Sequence, residues 1–217
     1  MKIIILIPIY NDRESLTKLI ENINSEIEGI NSEISVVVIN DASSQQVIDN
    51  YQNIESIHSI KVINMKENRG HARCIASGLK YIFEKKEFDY VIPMDGDGED
   101  RPEEIKNLIQ LAEQSDTKSI VAERVKRSET IFFKLCYQAH KIITLTFTGQ
   151  SIKFGNFTCL SKITVEKMIN EKATWNSFSG SLKKVEKDLL SIPSIRGTRY
   201  FGPSKMSFFN LLKHSLS

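Results

Sequence analysis

Cysteine is scarce in this chain. Cys74, Cys136 and Cys159 are odd in number and lack the spacing of metal ligands, so neither a disulfide framework nor a zinc site is expected. A reducing compartment fits that usage. Long apolar runs are also missing. Residues 3–7 are apolar but meet Pro8 and then Asn11-Asp12, too short for the core of a signal peptide, and no later run is long enough to span a bilayer. These residues are therefore expected to be cytoplasmic. Net charge is only +2, which argues against a nucleic-acid binder that works by bulk charge. Two phosphate-gripping signatures are absent too. No Gly-x-Gly-x-x-Gly follows the first apolar run, where Pro8-Ile9-Tyr10-Asn11 stands instead, and no Gly-x-x-x-x-Gly-Lys occurs anywhere. A dinucleotide-dependent dehydrogenase and a P-loop enzyme are both disfavoured.

What is present is enough for one sizeable domain: 217 residues, 41% hydrophobic and 26% charged. Short apolar runs at residues 2–9, 35–39, 60–63, 90–94 and 119–122 read as strands. Helical spacing appears between them. Leu16, Leu19, Ile20, Ile23 and Ile27 share one face, with Asn11 as cap and Glu14 three residues on. Ala72, Ile75, Ala76, Leu79 and Phe83 share a second, and Ile105, Leu108, Ile109 and Ala112 a third. Strands alternating with helices predict an α/β fold with a single wound, mostly parallel sheet and helices on both faces. In such sheets ligands bind beyond the carboxyl ends of the strands. Here those ends read Tyr10-Asn11-Asp12, Asn40-Asp41, Asn68-Arg69-Gly70 and Asp95 to Glu99.

The fourth of these is the richest in chemistry. Asp95, Asp97 and Glu99 alternate with Gly96 and Gly98 directly after an apolar strand, so an extended backbone would aim three carboxylates the same way while the glycines admit a ligand. Hard oxygen donors so crowded suit Mg2+ or Mn2+ better than zinc. Asp100, Pro102 and Glu103 are accounted for by the start of a helix; the three alternating acids are not. Other residues read more blandly. His71 is expected at a helix start with no catalytic role, and Cys74, Cys136, Cys159 and His140 as core or spacer positions. The apolar residues between Ile131 and Phe147 fit a core helix or one lying on a membrane. Trp175 and Phe178 fit a lipid entrance or local packing about equally.

These stretches resemble the family 2 glycosyltransferases of GT-A fold, and more closely the branch that includes dolichyl-phosphate mannose synthase and bacterial polyprenyl-phosphate glycosyltransferases. Ile7-Pro8-Ile9-Tyr10-Asn11-Asp12 resembles that family's Pro-x-Tyr-Asn-Glu opening. Asn40-Asp41-Ala42-Ser43 resembles Asp-Asp-Gly-Ser, with Asn40 in place of the first acid. Asn68-Arg69-Gly70 resembles the Asn-x-Gly segment. Asp95 to Glu103 resembles Asp-Ala-Asp-Leu-Gln-Asp-Pro-Pro-Glu, with Glu99 where the branch has Gln. The resemblance implies that Asp97 and Glu99 hold the metal, that Asp95 faces the donor sugar or diphosphate, and that Asp41 reads the nucleotide base. It puts Pro8, Tyr10, Asp12, Arg69 and Gly70 on the nucleotide side with it. Glu123-Arg124-Val125-Lys126-Arg127 resembles a stretch that handles the acceptor phosphate, which gives Arg124 and Arg127 that role. Gly202-Pro203-Ser204-Lys205 resembles the Gly-x-Ser-Lys that precedes the family's membrane segments.

The implied activity is inverting, metal-dependent transfer of a sugar from a nucleoside-diphosphate sugar to a lipid-linked phosphate. An acceptor phosphate oxygen is already ionised, whereas a hydroxyl needs a general base. After Gly149 the acids are Glu166, Glu171, Glu186 and Asp188, all in lysine-rich helical stretches, which favours phosphate as nucleophile. Three readings stay beside it: a soluble transferase acting on a sugar or protein hydroxyl, a nucleotidyltransferase, and a non-catalytic nucleotide-sugar-binding module. From Lys183 onward there are seven Lys and Arg against two acids, leaving 22 against 25 elsewhere. Residues 1–200 are thus read as a catalytic domain. Residues 201–217 are read as a basic amphipathic segment at the cytoplasmic membrane face, with Arg196 and Arg199 among the cations expected to touch lipid and a missing or separate transmembrane part as the further expectation.

Overall fold

The computed structural model of the chain describes residues 1–47, 51–115, 117–125 and 153–202. The first strand is β1 (Lys2–Ile9), followed by α1 (Arg13–Glu26), β2 (Glu33–Asn40), β3 (Ser59–Asn64), α2 (His71–Lys85) and β4 (Tyr90–Pro93). A short 3-10 turn at Pro102–Glu104 leads into α3 (Ile105–Gln114) and β5 (Ile120–Arg124). Then come β6 (Phe154–Ser161), α4 (Lys162–Asn170), a second 3-10 turn at Lys172–Trp175, α5 (Phe178–Val185) and β7 (Leu190–Ser194).

The strands form one seven-stranded sheet in the order β3-β2-β1-β4-β6-β5-β7. β1 pairs parallel with β2 and β4, β2 with β3, and β5 with β7; β6 runs antiparallel between β4 and β5. The sheet is mostly parallel, as its sequence implies. β1 shows why a continuous apolar run makes a central strand. Successive side chains alternate faces, so Ile3, Ile5, Ile7 and Ile9 pack with Leu16, Leu19, Ile20 and Ile23 of α1 and with Ile105 and Leu108 of α3. Ile4 and Leu6 point the other way, to Ile75, Leu79 and Ile82 of α2 and Val165 and Leu182 of α4 and α5. Each such fully buried side chain contributes about 1.5–3 kcal/mol over its exposed state.

Three details differ from expectation. Asn11 does not cap α1: the cap position is Asp12, whose side chain makes no capping bond, and Asn11 is turned to φ 49°. β2 and β3 extend past the runs that announce them. β6 and β7 were not expected, and both lie on the β5 side of β4 in the sheet. Cys74, Cys159 and Phe178 are core residues, and Trp175 is partly exposed. Arg127, Cys136, His140, residues 131–147 and residues 203–217 lie outside the described residues.

Candidate active site

The carboxyl ends of β1, β2, β4 and β5 meet at one rim, and local hydrogen bonds fix their loops to one another. Asn11 N–H donates to Ser43 Oγ (2.8 Å), and Asn11 Oδ1 accepts from Ser44 N–H (2.8 Å) and Oγ (3.0 Å), which staples the loop after β1 to that after β2. Asn40 ties β2 to β3 through Asn64 Oδ1 (2.8 Å) and accepts from Ser43 N–H (3.1 Å). Asp41 is 3% exposed, and its two oxygens accept from the Arg69 and Gly70 N–H groups (2.7 and 2.8 Å). Gly70 holds φ +88°, a conformation side chains rarely adopt. Asp41 is therefore a clasp that shapes the Arg69-Gly70 loop; its carboxylate already carries two bonds before any base is considered. Tyr10 stands exposed on the rim.

The loop after β4 is not extended. It turns at Gly96 and Asp97, and the three acids meet three different partners. Asp95 Oδ1 meets His71 Nε2 at 2.9 Å, with Asn156 Nδ2 at 3.4 Å. Asp97 Oδ2 accepts from Arg199 Nη1 at 2.7 Å, and the other arm of that guanidinium holds Asp12. Glu99 pairs with Arg196. The two glycines do not open space for a ligand: a Cβ on Gly96 would stand 3.1 Å from Ile9 Cδ1 and 3.2 Å from Pro8 O, and Gly98 lies under the Tyr200 ring. Pro8 thus backs the acidic loop.

Electrostatics sort these acids. Burial alone would raise Asp95, but the charge and hydrogen bond of His71 bring it down to about 2. Burial and then the Asp95 charge push Asp100 up to about 8 while its Oδ2 accepts from Asp95 N–H at 2.8 Å. Asp97 is raised by burial and by Asp95, against the pull of Arg199 and Arg196. His71 is raised as well: burial works to lower it, and the charge and hydrogen bond of Asp95, with the charges of Asp100 and Asp97, together outweigh that. Arg124, exposed at the end of β5, lies across Gly155, where a Cβ would stand 2.9 Å from its Nη2, and it helps to draw Asp95 and Asp100 down.

Among the described residues no three His, Cys, Asp or Glu side chains are grouped to hold a metal ion. The donor set nevertheless fits one of the expected kind. Mg2+ is usually bound through one or two carboxylates completed by substrate phosphate oxygens, and Asp97 and Glu99 are two hard donors on one loop. Each already faces a guanidinium, so the position calls for positive charge.

The structure brings together Pro8, Asp12, Asp41, Arg69, Gly70, Asp95, Asp97, Glu99 and Arg124. His71, expected at a helix start near the site without a catalytic role, is turned onto Asp95, and Asn156, Arg196, Arg199 and Tyr200 are added. The expectation that Arg196 and Arg199 touch lipid is corrected: both are turned onto site acids. Sequence carries no sign of this, because the pairs span up to 187 positions.

A glycosyl transferase family 2 model matches residues 4–178. Among curated proteins, the undecaprenyl-phosphate 4-deoxy-4-formamido-L-arabinose transferase of Proteus mirabilis is 26% identical over 97% of this chain and 64% of its own length. That of Photorhabdus laumondii is 28% identical over 97% and 65%. The chain thus spans just under two thirds of the relatives it matches. Among solved structures, a mannosyltransferase from Pyrobaculum calidifontis in complex with GDP-Man and Mn2+ superimposes with a TM-score of 0.63 at 15% identity, over 94% of this chain and 57% of that one. Glucosyl-3-phosphoglycerate synthase from Mycobacterium tuberculosis, in complex with Mn2+ and UDP, gives 0.64 at 11%, over 99% and 76%. These two share the GT-A fold with this chain. With the family model spanning the sheet from β1 to the start of α5, the chain belongs to glycosyl transferase family 2.

Proposed function

We propose that this chain transfers a sugar from a nucleoside-diphosphate sugar to a polyprenyl phosphate, with inversion, at the cytoplasmic face of a membrane. The observation that carries this reading is the pairing, at one sheet rim, of a carboxylate loop with the Arg124 guanidinium, while the acids beside them are unsuited to act as bases. Asp95 is engaged by His71, whose charge and hydrogen bond lower its basicity, and Asp100 is buried with Oδ2 committed to the Asp95 N–H. An ionised phosphate needs neither. The names of the curated relatives, which act on undecaprenyl phosphate, support the same choice.

Asp97 and Glu99 would hold Mg2+ or Mn2+, which supplies charge neutralisation for the diphosphate as it departs. The loop clasped by Asp41, together with Pro8, Tyr10, Asp12, Arg69 and Gly70, is the nucleotide side. Arg124, and Arg127 outside the described residues, grip the acceptor phosphate bidentately. One phosphate oxygen forms the new bond to the anomeric carbon on the face opposite the leaving group. The old carbon–oxygen bond breaks, and its electron pair leaves with the nucleoside diphosphate.

The test is sugar transfer by purified protein from labelled nucleotide sugars, offered polyprenyl phosphate in one arm and sugar or peptide hydroxyls in the other. Lipid-extractable product is expected in the first arm only. Chelation should abolish it, and Asp97→Asn should lower it at least 10- to 100-fold at limiting metal. Transfer to hydroxyls alone, or full turnover in chelator, would overturn the reading.

A further inference from the structure

After β7 the chain crosses the acidic loop as a strap over residues 195–202. Its root is fixed by buried Glu104, which accepts from Ser194 Oγ (2.6 Å) and from Ile195 N–H (2.9 Å). Its backbone then donates to the loop itself, Gly197 N–H to Glu99 O (2.8 Å) and Tyr200 N–H to Asp97 O (2.9 Å). Close approach is required here: a Cβ on Gly197 would stand 2.6 Å from Gly98 O. Tyr200 covers Gly98 and accepts from Asn22 Nδ2 at 2.8 Å, which ties the strap to α1. From this docked backbone Arg196 reaches Glu99, and Arg199 bridges Asp12 and Asp97 with a side chain only 18% exposed.

The two carboxylates suited to a divalent cation are thus the two that the strap neutralises. A carboxylate oxygen engaged by a guanidinium and drawn toward a divalent ion would bring two cations within contact distance of each other, where like charges repel strongly. We propose that Arg196 and Arg199 are built-in counter-cations that stand in for the metal in the free chain, so that metal binding and the strap's ion pairs compete for Asp97 and Glu99. The backbone bonds of Gly197 and Tyr200 keep the strap docked while its guanidinium groups swing away. The acid site is then stable when empty, and loose metal is held weakly until a diphosphate arrives to share its charge. This inference rests on Asp97 and Glu99 being the metal carboxylates, and not on the identity of the sugar or acceptor.

The experiment is Mn2+ titration of the full chain without nucleotide, with free Mn2+ read by electron paramagnetic resonance. Arg196→Gln/Arg199→Gln is expected to bind Mn2+ about tenfold more tightly than the parent, within the usual range of coupling between sites. Lys167→Gln removes one charge on the distant α4 and should leave the affinity unchanged. Where the double variant fails to fold, Arg196→Gln alone, whose side chain is 43% exposed, should shift affinity in the same direction by a smaller factor. Equal or weaker Mn2+ binding by folded variants overturns the strap's role. No Mn2+ binding by any form removes the metal carboxylates and the strap together. Tighter binding by the variants with no sugar transfer by any form leaves the strap standing and sinks the proposed function instead.

Discussion

His71 opens α2 one residue after the left-handed Gly70, and that placement delivers its ring to Asp95 at 2.9 Å, across 24 positions of sequence. The pair makes a sharp prediction with pH. His71 has its folded pKa above 6.5, so its ionic contribution to stability is full below that value and disappears as pH rises through the folded pKa. Asp95 is depressed from 3.8 to about 2, so its share is present above 3.8 and lost as pH falls toward 2. His71→Ala should therefore cost on the order of 1 kcal/mol near pH 5.5, discounted for a ring that is one-third exposed, and progressively less toward pH 9. Thermal melts across that range read it; a deficit that does not change with pH would mean lost packing, not lost charge. The site carboxylates themselves were legible, because Asp95, Asp97 and Glu99 crowd one strand end in a pattern that a helix start does not need. Their partners were not. Arg199 meets Asp97 across 102 positions, and no local period reports such a pairing.

Helix α2 shows what sets the spacing between a helix layer and the sheet. Gly78 faces β1 and β2 so closely that a Cβ there would stand 2.4 Å from Leu6 Cδ1 and 3.0 Å from Ile39 Cγ1, and both neighbours are fully enclosed. Gly78→Val should cost about 1–3 kcal/mol by overpacking, seen as a lower denaturant midpoint with an unchanged slope. Wild-type stability would mean that α2 is free to ride outward. The central elements were legible because burial on both faces writes a continuous apolar run, as in β1 and β2. β6 and β7 escaped notice for physical reasons. Phe154–Ser161 mixes Asn156, Thr158 and Ser161 into a strand whose polar groups are satisfied by neighbours, such as Ser161 N–H on Ser119 Oγ at 3.0 Å. Leu190–Ser194 contains Pro193, which in sequence argues against a strand and is accepted here because, among the described residues, β7 has a partner on one side only.

At the scale of the whole molecule, the last backbone tie among the described residues is made at Tyr200, where the strap meets Asp97 O. On the reading of residues 203–217 as a basic amphipathic segment, removing them should leave the thermal midpoint within a few degrees of the parent. The basic stretch so removed carries Lys205 and Lys213, and binding to anionic liposomes should fall with it. Co-sedimentation at low salt measures this; unfolding of the shortened chain, or indifference of the full chain to liposomes, would place that stretch in the core. The sheet's two outer strands carry one more consequence. β3 presents Lys61 within an exposed, alternating strand, and β7 presents Pro193, which has no N–H to offer. A charge on one margin and a missing donor on the other both obstruct the docking of a foreign strand. With β3 and β7 outermost among the described strands, copies of this protein crowded together are expected to zip poorly into continuous ribbons despite the apolar density of β1 and β2.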